Sequence, residues 1–132
     1  DVYKTVVFEI SEWRNKNYLE FFRGKNNKVI PDNIIKKPPT AELKPDQFDQ
    51  DKLPPYDILD AILIRLIEKE ESLIQIVSEG FDKETVMQVY KLLKIAEYKR
   101  RQSPPGIKIT NKSFGRERRY PITNQFFEKV LD

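Results

Sequence analysis

The sequence predicts a mainly α-helical chain. Three observations carry this. Apolar residues recur at helical spacing in several stretches. Six of the nine prolines crowd into one segment, 31–55, which separates helical regions instead of interrupting them. The one alternating apolar–polar patch, Ile107-Lys108-Ile109-Thr110, is too short to stand as a sheet and has no evident partner.

Residues 4–17 (KTVVFEISEWRNKN) read as a helix, with Val7, Ile10 and Trp13 at i, i+3 and i+6 and with Val6 and Phe8 widening the stripe. Tyr18, Leu19, Phe21 and Phe22 extend it or form a packed turn, and Asn26-Asn27 mark a break. Across 31–55, proline removes donors and restricts its predecessors, so no regular element of useful length is expected there. A structureless stretch of that size in a compact domain is usually a functional loop or a disordered one. Residues 56–69 are expected to form the next helix, with Ile58, Leu59, Ile62, Leu63, Leu66 and Ile67 as its stripe and Asp57 in the first turn, where the dipole favours an acid. Residues 72–79 read as a short helix between Ser72 as N-cap and Gly80 as a left-handed stop. Residues 83–101, capped by Asp82, read as one helix with Val86, Val89, Tyr90, Leu93 and Ala96 inward; Lys99, Arg100 and Arg101 close it, and Ser103-Pro104-Pro105-Gly106 stops it. Residues 124–131 suggest a last short helix carrying Phe126, Phe127, Val130 and Leu131.

A chain of 132 residues can support one modest core. With no cysteine and no histidine it has no disulfide, no thiolate or imidazole metal site, no cysteine nucleophile and no Ser-His-Asp triad. Its four glycines, Gly24, Gly80, Gly106 and Gly115, are at least nine residues apart, so neither a dinucleotide-binding fingerprint nor a P-loop can form. Phosphate must then be held by side chains or a helix end. No apolar run reaches the length of a membrane span, and no basic–apolar–small segment opens the chain. The first residue is Asp, so the chain is expected to start inside a longer protein or to have been processed or trimmed, and a soluble intracellular fragment is the default expectation.

Charge is polarised. Residues 42–71 carry nine acids against four bases, whereas residues 91–132 carry eleven bases against four acids. A basic end suits phosphate or another anion. Three constellations could use it, each with a structural alternative. Tyr98-Lys99-Arg100-Arg101-Gln102 could form a ligand site, or simply complement a helix dipole. Phe114-Gly115-Arg116-Glu117-Arg118-Arg119-Tyr120-Pro121 interleaves aromatics with arginines. That pattern fits phosphate pairing and base stacking, or arginines paired to the acidic middle segment with Phe114 and Tyr120 as anchors. Lys36-Lys37-Pro38-Pro39-Thr40-Ala41-Glu42-Leu43-Lys44-Pro45, followed by Asp46, Asp49 and Asp51, could close over a phosphate ester, and its acids could meet Mg²⁺; equally it could be a solvated linker.

Together the segments KPPTAELKPDQxDQDxLPPYDILDAIL, AEYKRRQxPPGIKI and SFGRERRYPIT, in that order, resemble the C-terminal part of glutamine-dependent NAD⁺ synthetases, and DVYKTVVFEISEWRN resembles the helix region before that family's second substrate loop. The resemblance covers nearly the whole chain. It implies a helical C-terminal fragment of an α/β, adenine-nucleotide-hydrolase-like (Rossmann-like) synthetase domain: helix region 1–30, substrate or lid loop 31–55, helices 56–101 and C-terminal segment 102–132. It implies a ligase in which ATP, with Mg²⁺, adenylates the carboxylate of deamido-NAD and ammonia displaces the adenylate to give NAD⁺. Glutamine supplies the ammonia through a nitrilase-like domain. The family's SGGxDS pyrophosphate loop and its cysteine nucleophile are not in this sequence, so the isolated chain is expected to be inactive.

Carried over position by position, the resemblance gives Lys99 as a deamido-NAD contact with Tyr98 beside it, at a position that is His in ammonia-dependent relatives. It gives Thr40 and Lys4 as ATP contacts. No catalytic residue and no metal ligand are assigned, Asp46, Asp49 and Asp51 included. It also implies cytoplasmic location, homo-oligomeric assembly, contact with the rest of the synthetase and glutaminase domains, and no membrane. The alternative is a small basic helical module that binds nucleic acid through residues 98–120.

Overall fold

In the computed structural model of the chain, residues 2–25, 28–37, 53–112 and 117–128 are described. Among them lie six helices: α1 (Lys4–Lys16), α2 (Asp32–Lys36), α3 (Tyr56–Ile67), α4 (Leu73–Ser78), α5 (Lys83–Ile95) and α6 (Glu97–Gln102). No strand is present among the described residues, and Ile107–Thr110 are extended, largely exposed chain. The chain divides into two compact units, Val2–Tyr56 and Asp57–Asp132. Most of the expected lid loop, 38–52, lies outside the described residues.

In the amino-terminal unit α1 spans the predicted residues, but its stripe is not a core. Val7, Ile10 and Trp13 stay exposed, and no residue of the helix is fully buried. What organises this unit is polar. The Asn15 side-chain oxygen accepts the backbone N–H groups of Val29 and Ile30, both at 2.9 Å, and its amide donates to the Ile30 carbonyl at 2.8 Å. One asparagine thus pairs with a loop backbone as a strand edge would. The Arg14 guanidinium donates to the carbonyls of Asn17, Arg23 and Lys25 and stacks over Tyr18 and Phe22. Trp13 and Phe22 meet edge to face.

The expectation of no element in 31–55 is corrected by α2. Pro31 sits at its N-cap, where a missing N–H costs nothing and a φ of −59° suits a helix entry. Its carbonyl accepts from the N–H groups of Ile34 and Ile35. The helix ends at Lys36, and Lys37, the residue before Pro38, is extended, as a following proline demands.

The carboxy-terminal unit holds the chain's main apolar core: Leu59, Ile62, Leu66 and Ile67 of α3, Leu73 and Ile76 of α4, and Val86, Val89, Tyr90 and Leu93 of α5. Ile58, expected in the stripe, is exposed, and Asp60 is buried instead. The stops and caps of α4 and α5 follow the predicted residues. Ser72 and Gln75 form a reciprocal capping box, Gly80 has a φ of +97°, and the Asp82 carboxylate accepts the N–H of Thr85 at 2.8 Å. Arg65 ties the end of α3 to Glu71, at 2.8 Å, and to Glu79, and lies over the Phe81 ring.

Two expectations fail here. Residues 83–101 do not make one helix: Ala96, with ψ at 0°, interrupts the ladder between α5 and α6. The Leu93 carbonyl accepts the Arg100 guanidinium at 2.6 Å, a side-chain bond where a continuous helix would place a backbone one. Residues 124–128 are not helical either. The Asn124 side chain takes the Phe126 N–H at 2.9 Å, a local bond that competes with helix formation. The Phe126 carbonyl is taken by the Lys94 ammonium.

Candidate functional site

The predicted site residues of the carboxy-terminal unit converge on α6. The helix carries Tyr98 and Lys99 outward, with Tyr98 43% exposed. Adjacent helix positions are about 100° apart, so the two present neighbouring but distinct directions. The three cations of Lys99-Arg100-Arg101 divide sharply in use. Arg100 donates to the Glu97 carboxylate at 2.9 Å as well as to the Leu93 carbonyl. Arg101 reaches Glu97 at 3.4 Å and the Tyr120 carbonyl at 3.2 Å. The Lys99 ammonium has no side-chain bond among the described residues and is exposed.

Glu97, which sequence reasoning passed over, is the centre of this arrangement. It is 2% exposed. Burial pushes its carboxyl up, but hydrogen bonds from Arg100, the Tyr120 backbone N–H and Arg101 outweigh that and hold it below the usual carboxylate range. A signal was available: an acid followed by arginines at i+3 and i+4 is the spacing at which helix side chains meet.

Lys94 forms a second focus. It is buried among four aromatic rings, with its ammonium 4.9 Å from the Phe127 centroid, 5.3 Å from Tyr90, 5.7 Å from Tyr120 and 5.8 Å from Phe126. Tyr90 and Tyr120 meet edge to face at 6.4 Å. Residues 120–127 are therefore strapped to α5 and α6 by a cation and a carboxylate.

The expected pairing of the basic tail with the acidic middle segment occurs: Arg118 adds to the positive field at Glu70, and a lysine makes direct bonds there. Lys112 pairs with Glu70, and its backbone N–H reaches Glu68 at 3.2 Å. Arg118 instead donates to the Tyr120 hydroxyl at 2.9 Å and lies over that ring. Lys108 pairs with Glu117 at 2.6 Å. Phe114, Gly115 and Arg116 lie outside the described residues.

Lys4 belongs to the other unit. It stands in the first turn of α1, where the dipole disfavours a cation, with its ammonium 5.2 Å from the Phe8 ring centroid and 5.9 Å from that of Tyr56. Thr40 lies outside the described residues. Among the described residues no three acidic side chains gather as a metal-binding group; Asp46, Asp49 and Asp51 lie outside the described residues.

Comparison with known proteins gives this arrangement its family. The NAD synthase family model matches residues 1–103. The chain belongs to the NAD synthase family. Among curated relatives, the glutamine-dependent NAD(+) synthetase of Rhodobacter capsulatus is 49% identical over 126 residues, 96% of this chain and 23% of that protein. The one of Acinetobacter baylyi is 52% identical over 124 residues, 94% of this chain and 22% of the relative. A solved structure of glutamine-dependent NAD+ synthetase from Acinetobacter baumannii, in complex with adenosine diphosphate, is 42% identical with a TM-score of 0.53, covering 94% of this chain and 20% of that one. The chain thus spans about a fifth of the length of the relatives it matches.

Proposed function

We propose that the chain is the C-terminal, mainly helical part of the ligase domain of a glutamine-dependent NAD⁺ synthetase, and that α6 presents Lys99 to deamido-NAD. The observation that carries the reading is the division of labour in α6. Two arginines are spent on a buried carboxylate, and the one cation left exposed and without a bond among the described residues is the one the family motif points to.

The chemistry suits that placement. Adenylating deamido-NAD with ATP brings two polyanions together and releases pyrophosphate, so cations must offset the repulsion and the growing charge on the leaving group. Lysine meets such a need as a mobile point charge, while arginine prefers a fixed bidentate partner. Tyr98 offers an exposed ring beside the cation. Lys4 and Thr40 are carried in this reading as ATP contacts. Lys4 would leave its two rings to reach a phosphate, at a cost of about 1 kcal/mol for a half-buried cation–π contact. Thr40 stands in a proline-flanked stretch of the sequence, and its hydroxyl would contact ATP. The parent enzyme is read as cytoplasmic and homo-oligomeric, with ammonia delivered from glutamine by a separate domain; among the described residues no helix is long and apolar enough to cross a membrane.

The nucleic-acid alternative loses its footing. Between residues 98 and 120, Arg100, Arg101, Lys108, Lys112 and Arg118 are all engaged within the chain, so the phosphate-facing charge such a module needs is largely spent.

Lys99→Ala in the parent enzyme tests the proposal. A charge-assisted hydrogen bond is worth about 1.5–3 kcal/mol, so the KM for deamido-NAD is expected to rise about tenfold to a hundredfold, with glutamine cleavage unchanged. Lys99→Arg restores binding only in part. An unchanged KM removes Lys99 from the site.

A further inference from the structure

We infer that Glu97 is a positioning residue for the ligand-facing lysine: it engages Arg100 and Arg101 and ties α6 to residue 120, so that Lys99 alone is offered to substrate. The inference rests on the assignment of Lys99 above and adds how that assignment is enforced.

Four observations meet at this carboxylate. It is buried although it opens a helix whose neighbours at 98 and 99 are exposed. It holds Arg100 at 2.9 Å, and Arg100 at the same time closes the break between α5 and α6 through the Leu93 carbonyl. It holds Arg101 at 3.4 Å, and it accepts the backbone N–H of Tyr120. Arg101 in turn donates to the Tyr120 carbonyl, so residue 120 is bonded to α6 through both its N–H and its C=O.

The consequence is a choice among cations. A run of three adjacent basic residues would ordinarily offer three mobile charges to an anion, in competing poses. Here the carboxylate withdraws two of them. It also sets the direction of α6 at a point where the backbone ladder is open and would not set it unaided. Neutralising Glu97 frees the arginines and loosens the angle at Ala96, so Lys99 loses its aim without losing its charge.

Steady-state kinetics of the parent enzyme test this, with ammonia as nitrogen donor, deamido-NAD varied, and glutamine cleavage measured in parallel on the same samples. Glu97→Gln keeps the shape and removes the charge. The expected result is a rise of about three- to tenfold in the KM for deamido-NAD, with kcat within about twofold. A merely destabilised enzyme would lose active fraction, hence kcat, and leave KM alone. In a Lys99→Ala background, Glu97→Gln is expected to add no further rise, because one residue acts through the other. Arg101→Ala, at a half-exposed side chain, provides a second variant if Glu97→Gln does not fold. It is expected to raise KM about threefold with Lys99 present and not at all without it. Additive effects of either variant with Lys99→Ala overturn the positioning role while leaving Lys99 in the site. A Lys99→Ala enzyme of normal KM overturns the site itself, and the inference with it.

Discussion

At the scale of single residues, Glu97, Glu70 and Asp82 are tuned in one direction. Glu97 is held low by Arg100, Tyr120 N–H and Arg101 against its own burial. Glu70 is held low by its bond to Lys112, and Asp82 by the Thr85 N–H and hydroxyl. Each folded pKa lies below its unfolded value, so the stability these groups contribute is fully present above the unfolded pKa. It is lost as pH falls through the folded one. The chain has no histidine to titrate between about pH 5 and 8. Thermal melts are therefore expected to be flat in Tm from pH 8 to pH 5 and to fall steadily below about pH 4.5; a step near pH 6.5 would contradict this. Removing one partner of a buried charge pair typically costs about 3–5 kcal/mol, so Glu97→Ala is expected to destabilise the carboxy-terminal unit far more than Lys99→Ala, whose side chain is exposed. Equal denaturation midpoints for the two variants would refute the picture of a carboxylate clamp.

At the scale of elements, what was legible in the sequence was the local chemistry. Ser72, Gly80 and Asp82 stand where capping and left-handed geometry need them, and the structure uses all three. Ser72→Ala removes the hydroxyl that caps α4 and is expected to cost about 1 kcal/mol. Gly80→Ala, at a φ of +97°, is expected to cost a similar amount, about 1–2 kcal/mol, although nothing lies within 4 Å of the added Cβ; urea titrations measure both. The helix break at Ala96 was not legible. Alanine is the best helix former, and the groups that meet at the break, Arg100 with the Leu93 carbonyl and with Glu97, are brought together by folding. The irregular course of 124–128 was hidden for the same reason: Phe126 and Phe127 read as an apolar helix face, but the groups they meet are the Lys94 cation and its ring cage. The apolar stripe of α1 was read correctly as a helix, and its exposure was not legible, because periodicity reports amphipathicity and not what covers the face. With no fully buried residue, α1 is expected to exchange its amide hydrogens much faster than α3 and α5. Equal protection would show that the polar clamps of Arg14 and Asn15 suffice.

At the scale of the whole molecule, the chain belongs to a ligase family and spans about a fifth of its relatives' length. Its sequence contains neither the glycine-rich pyrophosphate loop that the family resemblance calls for nor any cysteine. The purified 132-residue chain is therefore expected to form no NAD⁺ from deamido-NAD and ATP, with glutamine or with ammonia, in a coupled assay sensitive to single turnovers. Measurable conversion would mean that the described helices hold more of the reaction than α6 suggests.

The sequence by itself determined the helical class, the caps and stops, the polarised charge and the family, since each depends on which residues stand near one another along the chain. The tertiary structure alone decided which cations of Lys99-Arg100-Arg101 are engaged within the chain: Arg100 and Arg101 bond to Glu97, and Lys99 has no side-chain bond among the described residues. That choice turns on Glu97 being buried against residue 120, more than twenty positions away. A helix-end lysine and a helix-end arginine look alike in a sequence, and burial of a shared carboxylate separates them.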